Sequence, residues 1–149
     1  MHCNYNKYRV DMSTQDVRQL LVEKGISASR PRMAILNYML THYNHPTADD
    51  IFRDLRTEVS SLSLTTVYNT LKLFAEKGIC LSLTINEKQV HFDGHTHPHS
   101  HFLCNKCGKV YDLPQPEIHL DASMLEGHNV TDVHCYYKGI CSECMKKSN

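Results

Sequence analysis

The sequence predicts an α+β fold in two parts: helices and a short β-hairpin over residues 1–92, then a smaller α/β unit over residues 93–149. Three observations predict it. Three helix-start signals fall before residue 50. The hydrophobic period changes from 3.6 to 2 near Ile79. Two Cys-x-x-Cys pairs and most of the histidines come after Val90.

The first helix is marked at both ends. In "STQDVRQLLVEKG", Ser13 is an N-cap, Asp16 stands at the capping-box position and Gly25 supplies the stop. "RPRMAILNYMLTHY" opens with Pro31 in the first turn and places Ile35, Tyr38 and Met39 on one face. "HPTADDIFRDL" restarts after Pro46, with Thr47 as cap, Asp50 three residues on, and Ile51, Phe52 and Leu55 at helical spacing. In "SLTTVYNTLKLFAEKG", Val67, Leu71 and Phe74 face inward and Gly78 ends the helix. Two strands follow. "ICLSLTI" alternates Ile79, Leu81, Leu83 and Ile85 with smaller residues, "NEK" is a turn, and "QVHF" returns. Short helices followed by a β-hairpin describe a winged helix-turn-helix domain. Such a module places the helix before the hairpin in the major groove, or serves as a protein contact. The outward face of that helix carries Thr65, Thr66, Tyr68, Asn69 and Lys72.

In the second part "HFLC" and "KVYDL" read as strands, "EIHLDASMLEG" as a short helix and "NVTDVHCYYKGIC" as a final strand. A unit this small needs a metal or a second subunit to complete its core.

Composition narrows the function classes. The 16 basic and 16 acidic residues balance. Through Phe92 there are 11 Lys+Arg against 9 Asp+Glu, and from Asp93 on 5 against 7, which leaves the N-terminal part compatible with nucleic acid without arguing for it. No apolar run approaches membrane-spanning length. The segment "MHCNYNKYRV" lacks the apolar centre of a signal peptide, and the seven cysteines are an odd number, so a cytoplasmic protein with metal-bound thiolates is expected rather than a disulfide framework.

Cys104-Asn-Lys-Cys107 and Cys141-Ser-Glu-Cys144 are paired knuckles, and Gly108 lets the chain turn after the first. Four thiolates around a tetrahedral ion form a closed structural Zn(II) site; a redox Cys-x-x-Cys normally comes singly. The histidines differ in kind. His99 and His101 are two apart on a strand, hence on one face; Asp112 lies on the next strand-like segment and Asp93 just before the histidine run. Imidazole with carboxylate suits Fe(II), Mn(II) or exchangeable Zn(II). The stretch "HFDGHTHPHSHFLCNKC" is therefore read as serving two metals, one fixed and one labile. His95 and His97, beside Gly94 and Pro98, are solvated loop residues or auxiliary ligands. Cys3, Cys80 and Cys135 lie outside the zinc pattern and read as free thiols.

Taken together, "RPRMAILNYM", "HPTADDIF", "LTTVYNTLKLFAEKG", "HFLCNKCGKVYDL" and "GICSEC" resemble, in order and spacing, the ferric uptake regulator (Fur) superfamily of bacterial metal-dependent repressors, from about Ser13 to Lys147. The resemblance implies a winged-helix DNA-binding domain at 1–92, a dimerisation and metal-binding domain at 93–149, a homodimer and double-stranded operator DNA as partners, and no small organic substrate. It adds Arg32 to the DNA-binding residues. Within the superfamily the chain is most similar to the peroxide-sensing PerR branch, whose regulatory site takes three histidines and two aspartates. Carried over by motif these are His45, Asp93, His99, His101 and Asp112, and His45 comes from the resemblance alone. Fe(II) or Mn(II) is the implied regulatory ion, with oxidation of His45 or His99 by peroxide when Fe(II) is bound. The iron-responsive branch often has glutamate at the positions of Asp93 and Asp112, and its additional site is incomplete here: Ser100 replaces an aspartate and His119, an auxiliary candidate, replaces an acid. Asn69 stands where many relatives have arginine. A metal-level sensor without peroxide chemistry is the alternative. A small zinc hydrolase is a distant third, because no H-x-E or H-E-x-x-H pattern supplies a general base; the expectation is a regulator, not an enzyme.

Overall fold

A computed structural model describes residues 12–116 and 121–147. The chain divides into two compact units, residues 1–96 and 97–149.

The described residues of the first unit form four helices and a hairpin: α1 (Thr14–Glu23), α2 (Arg30–Thr41), α3 (Ala48–Leu55), α4 (Leu64–Glu76), β1 (Leu81–Leu83) and β2 (His91–Asp93). Local chemistry sets the boundaries. Ser13 and Asp16 form a reciprocal capping box at α1, as do Thr47 and Asp50 at α3. Pro31 occupies the first turn of α2, and Ser63 caps α4 by accepting the Thr66 N–H at 3.1 Å. Gly25 and Gly78 take positive φ (71° and 67°) just beyond α1 and α4. The apolar stripes meet in one core, with Leu21, Ile35, Leu36, Ile51, Val67, Leu71 and Phe74 all fully enclosed. Each such side chain contributes roughly 1.5–3 kcal/mol through burial.

The hairpin is shorter than the sequence pattern predicts. β1 pairs antiparallel with β2 from Leu81 opposite Asp93 to Leu83 opposite His91. Ile85 remains buried beyond the ladder. Asp93 is the last residue of β2 and belongs to this unit, whose edge falls after Thr96.

The second unit holds β3 (Ser100–Cys104), β4 (Val110–Leu113), β5 (Tyr136–Gly139) and the short helix α5 (Ser142–Lys146). The sheet order is β4-β3-β5, with β3 antiparallel to β4 and parallel to β5. The expected short helix is described in part: a 3-10 helix covers Ala122–Leu125, ended by Glu126 in the left-handed region (φ 47°), and residues 117–120, including His119, lie outside the described ones. One expectation needs correcting. The final strand covers four residues, not the whole of "NVTDVHCYYKGIC". The Asp132 carboxylate accepts the Val133 N–H at 2.9 Å and lies 2.8 Å from His134 Nε2, a local bonding pattern that competes with a ladder. Among the described residues this unit buries Leu103 and Val110 and a cluster of Cys104, Cys141 and Cys144 with Phe102 and Tyr111 packed against them.

Candidate metal centres and nucleic-acid face

The thiol cluster is built where strand ends meet a helix start. Cys104 closes β3, Gly108 (φ 73°) turns the chain back after Cys107, Cys141 immediately precedes α5 and Cys144 lies within it. The four sulfur atoms lie within 4.8 Å of one another, and Cys107 and Cys141 Sγ are 3.9 Å apart. Tetrahedral Zn–S bonds of about 2.3 Å set sulfur atoms about 3.8 Å apart, so the donor set fits zinc. Cys104 Sγ accepts the N–H groups of Cys141 at 3.3 Å and Cys107 at 3.5 Å. These bonds, that from Cys141 first, draw the Cys104 thiol down to about 6. Cys141 is lowered as well, by Tyr111 first. Burial pushes Cys144 the other way, up to about 12. Thiols this crowded ionise together only around a cation.

The sheet of the same unit presents imidazoles and a carboxylate. His101 on β3 pairs with Asp112 on β4. His99 Nε2 is 3.2 Å and His101 Nε2 3.7 Å from one oxygen of Asp112. His99 Nδ1 lies 2.7 Å from the His97 carbonyl. A carbonyl only accepts, so Nδ1 carries a proton, which leaves Nε2 as the nitrogen available to a metal. Fixing the tautomer through the second ring nitrogen is how proteins aim metal-binding histidines. Ligands about 2.1 Å from one ion at ordinary angles lie about 3.0–3.4 Å apart, which this triad approaches.

In the first unit, His45 and Asp93 form the matching pair. His45 precedes α3 with φ 51°, and its Nε2 is 3.8 Å from Asp93 Oδ2; both side chains are buried. The His95 N–H donates to Asp93 Oδ1 at 2.8 Å, and the His95 ring stacks on Tyr43 with centroids 4.6 Å apart. Thus the backbones of His95 and His97 each hold a candidate ligand of their own unit, a role that counting side-chain donors did not find. The other missed residue is His91: it is buried, and its Nδ1 lies 2.7 Å from the His45 carbonyl. Its only sequence signal is its spacing of two from Asp93 on one strand. Of the remaining cysteines, Cys80 is buried and its thiol is pushed up to about 12, by burial first and the Asp93 charge second, so it stays protonated at neutral pH; Cys135 is half-buried, and Cys3 lies outside the described residues.

On α4, Val67, Leu71 and Phe74 are buried while Thr65, Tyr68, Asn69 and Lys72 are exposed, Tyr68 at 42%. Thr66 is half-buried beside its capping partner Ser63. Arg32 on α2 donates to the Ser27 carbonyl at 3.1 Å. It lines, with Thr66 and Asn69, a polar depression of about 420 Å³. Among the described residues, no helix is long and apolar enough to cross a membrane.

Comparison with known proteins adds independent findings. The profile of the "Ferric uptake regulator family" matches residues 23–138. The peroxide operon regulator of Bacillus subtilis is 36% identical over 138 residues, spanning 91% of this chain and 95% of its own. The peroxide-responsive repressor PerR of Staphylococcus epidermidis is 32% identical over 143 residues, spanning 94% and 95%. Among solved structures, PerR from Streptococcus pyogenes aligns with a TM-score of 0.50 at 33% identity, covering 88% of this chain and 92% of that one. The Helicobacter pylori ferric uptake regulator aligns with a TM-score of 0.67 at 15% identity, covering 90% and 95%, a likeness of fold alone.

Proposed function

The chain belongs to the ferric uptake regulator family, and from that membership we propose that it is a cytoplasmic, homodimeric repressor that binds operator DNA when its regulatory metal is bound and releases it on exposure to peroxide. In this reading residues 1–92 bind DNA through α4, with Arg32, Thr65, Thr66, Tyr68, Asn69 and Lys72 at the duplex. The second unit dimerises around structural Zn(II) at Cys104, Cys107, Cys141 and Cys144. His45 and Asp93 from one unit join His99, His101 and Asp112 from the other on a single Fe(II) or Mn(II).

The observation that carries the reading is the donor chemistry. Two aspartates and three histidines, each lying near its partners within its own unit, make a set of oxygen and nitrogen donors with no thiolate. Such a set suits Fe(II) and Mn(II) and differs from the all-sulfur cluster beside it. Because the ligands come from both units, their joint use ties the unit that carries α4 to the unit that dimerises. A coupling of ~1–3 kcal/mol between metal and DNA changes operator affinity about 5–150-fold.

Bound Fe(II) would supply the redox chemistry by which peroxide delivers one oxygen to a nearby imidazole and leaves the other as water; the Bacillus subtilis and Staphylococcus epidermidis relatives are themselves named for a response to peroxide. His45 and His99 are the side chains we assign to be oxidised. A histidine that gains oxygen no longer offers the same nitrogen donor, so the tie between the units is lost.

The test is operator affinity of anaerobically purified protein with Fe(II) or with Mn(II), before and after a peroxide pulse, on a duplex selected from a random-sequence library. Peroxide should release the Fe(II) form and spare the Mn(II) form, with mass spectrometry locating an added oxygen on His45 or His99. Metal-dependent binding with no release and no oxidised histidine establishes the metal-level sensor instead.

A further inference from the structure

We infer that His91 is a positioning residue for the regulatory ion: its imidazole clamps the backbone of His45 in a strained conformation that presents the His45 ring to the metal. This rests on the assignment of His45 as a ligand.

His45 is one of two non-glycine residues with positive φ among those described (51°), and the residue after it is Pro46. L-residues visit this region rarely, and a following proline narrows the choice further. Such a residue persists only where its surroundings determine it. Two hydrogen bonds from β2 do so. The Phe92 N–H donates to the Pro46 carbonyl at 2.9 Å. His91 Nδ1 is 2.7 Å from the His45 carbonyl. The carbonyl only accepts, so the proton is on Nδ1.

The burial of His91 points the same way. It is 6% exposed, and its Nε2 has no hydrogen-bond partner among the described residues. A buried ring nitrogen without a partner is costly, and the bond to His45 is the polar contact that offsets it. The period of two along β2 puts His91 and Asp93 on the same side of the strand. One strand face therefore holds the His45 backbone through His91 and places the Asp93 carboxylate 3.8 Å from the His45 ring. The strand exit is fixed as well: a Cβ at Gly94 would lie 2.8 Å from the Met39 carbonyl oxygen.

The experiment compares zinc-loaded wild type with His91→Leu, His91→Asn and His45→Ala, reading free Mn(II) by electron paramagnetic resonance. His91→Leu fills the buried space with an apolar side chain and removes the donor. His91→Asn keeps an N–H near the Nδ1 position. His91→Leu should weaken Mn(II) binding about 10–100-fold, the range for removing a group that orients a ligand, with zinc content unchanged, and His91→Asn should recover most of the loss. Nitrogen-15 spectra of the metal-free wild type should show His91 protonated at Nδ1. Wild-type Mn(II) affinity in His91→Leu, a loss that His91→Asn does not repair, or a proton on Nε2 in wild type overturns the proposal. Should His91→Leu fail to fold, His91→Asn and the spectra still decide. His45→Ala separates the two levels: if it binds Mn(II) as wild type, the ligand assignment falls and the clamp with it. If it is weakened while His91→Leu is not, the clamp alone falls.

Discussion

Asp112 shows how much rests on one side-chain length. Its carboxylate faces both His99 and His101 from the neighbouring strand. Asp112→Glu keeps charge and oxygen donors but adds a methylene, which changes the coordination open to peroxide without removing the ligand. We expect this variant to keep metal-dependent operator binding and lose much of its peroxide release, and Asp112→Ala to lose both; equal peroxide release in Asp112→Glu and wild type would contradict the role. The Cys104 thiol makes a pH argument at the same scale. Its folded value, about 6, lies below the roughly 8.5 of an unfolded thiol. The stability it contributes is therefore present above the unfolded value and lost as pH falls through the folded one. Zinc removal by a fixed concentration of chelator should accelerate as pH is lowered from 8 toward 6; a rate that slowed on acidification would refute this. What the sequence revealed at this scale followed chain proximity. The knuckles and the His99/His101 pair are local patterns. His45 is far from Asp93 in the chain and was reached only by resemblance, and the His91 clamp depends on a ring-to-carbonyl bond that no spacing encodes.

At the scale of elements, caps were the most legible features. Ser13 with Asp16 and Thr47 with Asp50 bond as their types predict, since both partners lie within one turn. Strand lengths were less legible, because a ladder depends on what lies alongside: β5 stops short where Asp132 bonds its own neighbours. The rotation of α4 follows from its buried Val67, Leu71 and Phe74, which leave Tyr68 42% exposed. Tyr68→Ala should therefore weaken operator binding by about 1–3 kcal/mol, the worth of a good base contact, while the melting temperature moves little. A sharp drop in melting temperature with affinity intact would mean that this face of α4 does not meet DNA.

At the scale of the whole molecule the two units differ in what holds them. Among the described residues, the first has an extended apolar core drawn from four helices, while the second buries Leu103 and Val110 beside a cluster of three cysteines, Phe102 and Tyr111. Zinc binding energy is accordingly folding energy for the second unit. Cys141→Ser should lose zinc, unfold the second unit and abolish dimerisation, while amide exchange in α1 to α4 stays slow. A variant that sediments as a dimer with an unchanged melting temperature would remove the structural role of the thiols. The division into a helical part and a cysteine-rich part was readable from the change of hydrophobic period and the cysteine positions.

The parallel pairing of β3 with β5 also sets a timetable. His101 lies opposite Tyr136 and Cys104 opposite Gly139, so the central strand of that sheet must wait for a distant segment to arrive. Long-range parallel pairing is slow because the chain loses loop entropy before any contact compensates, whereas helices with short connections fold early. Refolding from denaturant should show a fast helical phase followed by a slower one whose rate rises with zinc concentration, because an ion held by Cys104 and Cys107 draws the remote knuckle into register. In the proposed function, the DNA-reading part would then be finished well before the part that lets two copies meet, and the lag between them would follow the zinc supply.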